Sequence, residues 1–598
     1  MTHSRLAAFG LALAAGACGG GREPEAPVDL LGLTYVVFSP TEEEELRSPI
    51  DFSGDIRPAL VAPTPAEFRY RVTVPAEGFL TFAMGIAQAP HARGDEPLPG
   101  ARMRFRVRAG DKVVDDVLFD REIHVGRRGR WIDQSVDLGR HGGREIWLSL
   151  ETSFPGYEAV EGAPPLPLVG VFADPALHDR GRHPRSRGVV IVSIDTLRRD
   201  HTSLYGYPRR TTPGLEALSS DALVFEDAVS TSSWTLPAHA SLLTSTVPSV
   251  HGASDLHVGL SPEWPNLAQL LRDNGFFTQA IVTHLYLSRH YGFGTGFDRH
   301  RYLPETRAEE VTDQAIRFLH AWADRDFFLF VHYYDPHWHY DPPAPYDDVF
   351  DPRYEGEATG IWWDFKELTA EEIEPSDLHH IQALYDGEIL YTDRHVERLF
   401  QEMKRLGVFE ESIIVVTSDH GEEFLEHGGW EHQKTLYEEQ LRIPLVVKLP
   451  LSLGHPNGRV EAQVSLIDVA PTVAQVLGVE VPETFQGRSL LDGDEPVEAW
   501  SETEHTLDGS HLIAMRRGAS GDKVIYTLKG NEVGVRVFDL LADPEERNGE
   551  EGDSGRLSQA LDAYLTAATA RRAGKSASPK VELTPEEVER LRALGYIP

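Results

Sequence analysis

The run Val189-Val190-Ile191-Val192-Ser193-Ile194, closed by Asp195, constrains this chain more than any other stretch. Continuous apolar β-formers without polar alternation describe a strand buried on both faces, as in a parallel sheet covered by helices. A carboxylate at the end of such a strand lies where open α/β sheets bind ligands. Downstream, "WPNLAQLLRDNGFFTQAIVTH", "VTDQAIRFLHAW", "DFFLFVHYYDPH", "LHHIQALYDGEILYTDRHVERLFQEMKRLG", "SIIVVTSDHGEEF" and "RIPLVVKLP" alternate long helical patterns with short apolar runs. Strands interleaved with helices predict an α/β fold on a mostly parallel central sheet flanked by helices.

With 598 residues the chain exceeds one hydrophobic core, and four segments are predicted. Residues 1–28 read as a lipoprotein-type signal and tether. Arg5 precedes a short apolar run, too short to span a bilayer, and Ala15, Gly16 and Ala17 lead into Cys18, the one cysteine of the chain. Gly19 is compatible with outer-membrane sorting. This predicts export across a bacterial inner membrane and a lipid anchor in the envelope. Residues 29–180 alternate in short runs such as "FRYRVTVPAEGFLTFAMGI" and "REIWLSLETSF", which predict a β-sandwich that braces its neighbour. Residues 187–480 are the predicted catalytic domain. Residues 481–598 read as a small α+β subdomain with a terminal helix, which Thr584 and Glu587 open with a capping box. The net charge of −37 excludes a sequence-independent nucleic-acid surface and asks for a local positive centre if the substrate is anionic.

Acidic or His residues follow an apolar run in three places: Asp195, Asp335 with His337, and Asp419 with His420. A single Asp there is as often a helix cap. The adjacent Asp419-His420 pair beside Gly421 says more, because a divalent cation takes carboxylate oxygens together with an imidazole nitrogen.

The motifs "SIDTLRRDHTSLYGY", "TLPAHASLLTS", "DPHWHYDPP" and "SDHGEEFLEHGGW" followed by "KTLYEEQLRIPLVV", in this order, resemble the sulfatase family of the alkaline phosphatase superfamily. The resemblance implies an alkaline-phosphatase-like sheet and a divalent metal (Mn, Mg, Ca or Zn) held by Asp195, Asp419 and His420. Thr235 falls at the nucleophile position and beside the metal. His337 aligns with a substrate-facing His suited to protonating a leaving oxygen, and Lys434 with an active-site Lys. His239 stands where the family pattern has Arg, and Thr196 where many sulfatases have a second Asp. A Lys-bearing segment of the family is replaced around "THLYLSRHYGFGTGFD". A second metal is left open, with His332, His339, His427 and His432 as further candidates, although a hydrogen-bonded structural role is the expectation for each.

Sulfatases convert Cys or Ser at the nucleophile position to formylglycine. Thr carries a methyl group on Cβ and cannot become an aldehyde, and the only cysteine lies in the signal segment. A Thr alkoxide remains a workable nucleophile, which favours a phosphoester. The expectation is a metal-dependent sulfatase-like hydrolase that cleaves a phosphate or sulfate ester through Thr235, with an envelope glycan or lipid among its substrates. Two other readings stay open: an envelope phospho-alcohol transferase, and a non-catalytic glycan-binding pseudoenzyme.

Overall fold

The computed structural model describes residues 28–593 with interruptions, the longest at 89–101, 156–167 and 39–46, and runs unbroken from 187 to 493. Cys18 and the signal segment lie outside the described residues. The chain divides into two compact units, residues 1–48 with 59–181 and residues 49–58 with 182–598. Among the described residues no helix is long and apolar enough to cross a membrane.

The first unit is built from two antiparallel sheets. One holds Ala66–Thr73, Arg102–Gly110, Asp116–His124 and Glu145–Ser153; the other holds Gly78–Gln88, Ile132–Asp137 and Leu168–Asp179. Period-two burial along Ala66–Thr73 turns Phe68 and Tyr70 inward and leaves Arg71 and Thr73 exposed. Phe105 of one sheet meets Phe172 of the other edge to face, with centroids 5.4 Å apart, so this is a two-layer sandwich with a shared core.

The second unit is organised by an eight-stranded sheet. Its strands are β1 (Gly188–Ile194), β2 (Leu223–Val229), β3 (Phe277–Val282), β4 (Arg299–Tyr302), β5 (Phe327–Tyr333), β6 (Ile413–Ser418), β7 (Arg442–Lys448) and β8 (Gly458–Ser465). They lie in the order β4-β3-β5-β1-β6-β7-β2-β8, and only β7 runs antiparallel to its neighbours. Every residue of β1, β5 and β6 is buried, as their unbroken apolar runs predict. Helices α1 (Thr235–Thr244), α2 (Ala308–Trp322) and α3 (Pro375–Leu406) belong to this unit. Pro375 occupies the first turn of α3, and Gly407, at φ 73°, ends the helix in the left-handed region.

The C-terminal part is a meander of β9 (Glu498–His505), β10 (Ser510–Arg517), β11 (Asp522–Lys529) and β12 (Glu532–Asp539), followed by α4 (Ser554–Arg572) and α5 (Pro585–Ala593). Thr584 and Glu587 exchange the two hydrogen bonds of a capping box ahead of α5. The meander shares a core with the catalytic sheet, in which Val229, Leu436 and Leu441 pack with Ala514, Ile525 and Phe538. A buried ion-pair network lies beside it. Lys523 Nζ sits 3.0 Å from Glu438 and 2.8 Å from Glu546, and Arg516 reaches Asp227 at 2.7 Å. Removing one partner of such a network leaves buried like charges facing each other, which costs about 3–5 kcal/mol. Lys523→Met should therefore lower the thermal unfolding temperature clearly, whereas Lys529→Met on the same strand should not.

Candidate active site

Adjacent parallel strands bring the site together. Ile194 of β1 is in register with Ser418 of β6, so the residues that follow, Asp195 and Asp419-His420, emerge side by side at the centre of the sheet. Local bonds fix both turns. The Asp419 carboxylate accepts from the backbone N–H of His420 at 3.0 Å, and Ser418 Oγ accepts from Leu197 N at 3.0 Å and donates to the His420 carbonyl at 2.6 Å. Thr196 adopts φ 53°, a left-handed conformation held by Tyr385 of α3, whose hydroxyl donates to the Thr196 carbonyl at 2.7 Å. Gly421 is required sterically, since a Cβ there would lie 1.9 Å from the Glu439 carbonyl oxygen.

Both oxygens of Asp195 and Oδ2 of Asp419 are fully buried without a hydrogen-bond partner. His420 Nδ1 lies 2.9 Å from the Gly421 carbonyl, which can only accept, so the ring carries its proton on Nδ1 and turns the Nε2 lone pair toward the carboxylates. Nε2 stands 3.6 Å from Asp195 Oδ1, 3.3 Å from Asp419 Oδ2 and 3.4 Å from Thr235 Oγ1. Oxygens and a lone pair converging in a dry interior repel one another unless a cation lies between them. The donor set of carboxylates, one imidazole and one hydroxyl fits a divalent ion of the Mg, Mn, Ca or Zn group. Burial pushes the Asp195 carboxyl up to about 7, against the opposing pull of His420.

Thr235 is the first residue of α1. The cap position belongs to Trp234, in extended conformation, and Pro237 lies in the first turn. The Thr235 hydroxyl therefore does not cap the helix: it faces His420, and the free N–H groups of the helix start are left for an anion. The loop before it is held by β9, with Glu502 N donating to the Thr231 carbonyl at 2.9 Å and Ser232 Oγ to the Glu502 carbonyl at 2.6 Å. One turn beyond Thr235, His239 is fully buried. Its Nδ1 is 2.9 Å from the Thr235 carbonyl and 3.5 Å from Asp419 Oδ2, and its Nε2 is 2.9 Å from Ser193 Oγ. Burial lowers its pKa to about 4.

The remaining histidines separate into two groups. His332 lies beside the centre, its Nε2 3.4 Å from Asp195 Oδ2, and is hydrogen-bonded through Nδ1 to Thr283 at 2.7 Å, as expected of a structural His. His337 is buried, bonded through Nδ1 to the Trp338 carbonyl at 3.2 Å, with its ring 5.1 Å from that of His432. His432 is oriented by Glu422 at 2.9 Å and its ring lies 4.4 Å from that of His420. Burial drives the pKa of both rings well below the ordinary His value, against the Trp338 carbonyl bond in the case of His337. His427 pairs with Glu439 at 2.8 Å, and His339 accepts from Trp362 N at 2.7 Å; both fill structural roles. Asp335 points away from the centre and accepts from Ala308 N at the start of α2. Lys434 is 41% exposed, with Nζ 3.4 Å from Glu431. His284, Glu422 and Thr283 were not anticipated. Thr283 and His284 directly follow β3, so the strand-end criterion applied there would have found them. The segment before α3 reaches this region through Trp362, which stacks on Trp338 at 5.1 Å, and through Leu368, whose carbonyl accepts from Trp430.

Residues 187–479 match the family model described as Sulfatase, and residues 425–567 match that of the N-sulphoglucosamine sulphohydrolase C-terminal region. Relatives include an N-acetylglucosamine-6-O-sulfatase of Bacteroides thetaiotaomicron, 21% identical over 64% of this chain and 86% of its own. An arylsulfatase of Clostridium perfringens is 23% identical over 60% of this chain and 89% of its own. The solved structure of a phosphonate monoester hydrolase of Agrobacterium radiobacter superposes with a TM-score of 0.53 at 20% identity, covering 67% of this chain and 98% of its own, and so shares the fold. The chain belongs to the sulfatase family and is a sulfatase-family hydrolase.

The elevated Asp195 sets the pH dependence of cation binding. Below about pH 7 this carboxyl holds a proton in the metal-free protein, and a cation must displace it. Calorimetric titration with Mn²⁺ in buffers of differing protonation enthalpy should show about one more proton released per ion at roughly pH 6 than at pH 8, and weaker binding at the lower pH.

Proposed function

We propose that this protein hydrolyses a phosphoester through a covalent Thr235 intermediate. The observation that carries the reading is the position of Thr235 Oγ1, buried at a helix start and 3.4 Å from the His420 nitrogen that also faces Asp195 and Asp419. Asp195, Asp419 and His420 would hold a divalent ion, which would supply the positive charge that lowers the pKa of the Thr235 hydroxyl and polarises the ester. Thr235, as its alkoxide, forms the Oγ1–P bond while the bond to the leaving oxygen breaks. The start of α1 receives the nonbridging oxygens through its backbone N–H groups.

His337 is neutral in the free enzyme because it is buried. An anionic ester arriving beside it raises its proton affinity, so it is protonated with substrate bound and hands that proton to the leaving alcohol. Water then attacks phosphorus and gives a proton to the now neutral His337, while the Oγ1–P bond breaks and Thr235 leaves as its alkoxide. Lys434, at the rim, offsets charge on the outer part of the substrate. A phosphoester is favoured over a sulfate ester because Thr cannot yield the aldehyde of formylglycine. Delivery to the bacterial envelope with a lipid anchor at Cys18 belongs to the same proposal and rests on the sequence of residues 1–28.

The test compares the purified chain with its Thr235→Ala and Thr235→Ser variants on matched aryl phosphodiester, phosphomonoester and sulfate substrates. Thr235→Ala should lose roughly 10³-fold or more in kcat, Thr235→Ser should keep measurable turnover, and chelation should abolish activity restorably. Undiminished turnover in Thr235→Ala would remove the nucleophile from the scheme. A clear preference for the sulfate substrate would overturn the phosphoester assignment.

A further inference from the structure

The outer face of the first unit is charged differently from the chain as a whole, in which 94 acidic residues outnumber 57 Lys and Arg. On the three adjoining strands Ala66–Thr73, Glu145–Ser153 and Arg102–Gly110, burial alternates along the chain and the inward positions fill the sandwich core. The outward positions carry Arg69, Arg71, Arg102, Arg104, Arg106 and Arg108 against Glu67, Glu145 and Glu151. The balance of the chain is reversed on this face.

Register arranges these groups around a shallow trough. Ser149 of the middle strand stands opposite Arg69 on one side and Arg108 on the other. Cross-strand partners share a face, so the short, fully buried Ser149 forms a floor and the two guanidinium side chains form walls, roughly 10 Å apart over two strand spacings. Next along the same strand, the half-buried Trp147 stands opposite Arg71 and Gly110. Gly110 leaves that flank of the indole bare of side chain, and the Arg71 guanidinium lies 6.0 Å from the ring centroid. Arg102, Arg104, Arg106 and Arg108 extend the positive row for about 20 Å beside the trough.

Carboxylates hold these arginines in place without using them up. Arg69 pairs with Glu67 at 2.7 Å, Arg71 with Glu145 at 2.6 Å and Arg108 with Glu151 at 3.4 Å. Asp120 of the next strand is shared between Arg104 at 2.6 Å and Arg106 at 3.1 Å. Solvent-facing pairs of this kind contribute little to stability, and each guanidinium has five N–H donors, so an arriving anion is able to share or replace the carboxylates.

We propose that this face binds an anionic polysaccharide. A sugar ring packs its C–H surface on Trp147, and its carboxylate or sulfate groups lie on the forks of Arg69, Arg71 and Arg108, with the Arg102–Arg108 row taking the groups that follow. Duplex nucleic acid, with one charge per roughly 1.7 Å, meets the repulsion of a chain of net charge −37 at much higher density than a sugar polymer charged once per ring or less. Binding here is independent of turnover at Thr235.

The full chain is run by affinity electrophoresis in gels containing dextran sulfate, polygalacturonate or neutral dextran, and its Kd for each polymer is measured by calorimetry at low and high salt. Dextran sulfate or polygalacturonate should retard the wild type, less so at high salt, and neutral dextran should not; the two anionic arms tell ester sulfate from carboxylate as the group held. The double variant Arg69→Gln/Arg108→Gln should weaken binding roughly 10- to 100-fold, and Trp147→Ala should weaken it clearly. Thr235→Ala should leave it unchanged, as should Arg394→Gln/Arg405→Gln, which removes two exposed arginines of the second unit. A wild type retarded by neither polyanion at low salt overturns the proposal, as does binding that survives in Arg69→Gln/Arg108→Gln. Single-stranded DNA held as tightly, with no loss in Trp147→Ala, rejects the polysaccharide in favour of polyanions in general. Should Trp147→Ala fail to fold by circular dichroism, the arginine double variant, changed only at solvent-facing positions, decides on its own.

Discussion

The structure around the site depends on one electrostatic constraint: Asp195 and Asp419 are buried next to each other at the ends of paired strands. Parallel pairing of Ile194 with Ser418 leaves no freedom to separate them. Two carboxylates in a dry interior without compensating donors are worth several kcal/mol of destabilisation in the metal-free state. Asp419 relieves part of this by accepting from the His420 backbone, whereas at Asp195 burial outweighs the pull of His420 and of the Thr196 backbone and raises the carboxyl to about 7. The metal-free fold is therefore strained at its centre, and cation binding and stability are linked.

That strain persists because the surrounding framework is overdetermined. Tyr385 of α3 holds the left-handed Thr196, and Gly421 lets the Glu439 carbonyl approach closely. Arg198, almost fully buried, donates to the Glu422 carbonyl and to Asp200, fixing the loop that carries the partner of His432. The C-terminal meander contributes from the other side, through the Glu502 contacts that set the loop before Thr235. The position of the proposed nucleophile thus depends on a segment that bears none of the metal-facing residues.

How much was legible in sequence follows from which interactions are local. Asp195, Asp419 and His420 follow unbroken apolar runs, and the end of a parallel strand fixes where such residues go. The same criterion misleads at Asp335, which follows β5 but turns to the backbone of α2; a cap and a ligand look alike until the helix start is placed. His332 lies inside β5, and no local pattern tells which face of a fully buried strand it uses. The orientation of its ring depends on Thr283, 49 positions away in sequence. The departure from the family pattern around "THLYLSRH" was visible, but only the fold reveals that Thr283 and His284 occupy the space.

The substitution at position 239 makes sense as a change in where charge resides. A guanidinium carries its charge permanently and would neutralise Asp419 without a metal. His239 is held neutral by burial, so it adds no fixed positive charge beside Asp419. The proposed role of Thr235 works in the same direction: where a hydrated aldehyde brings its own reactive oxygen, a Thr hydroxyl would have to be deprotonated by a strong local field. Under the proposed function, less side-chain charge and a less reactive nucleophile place the demand on a bound cation, whose field suits the electron-rich oxygens of a phosphoryl group.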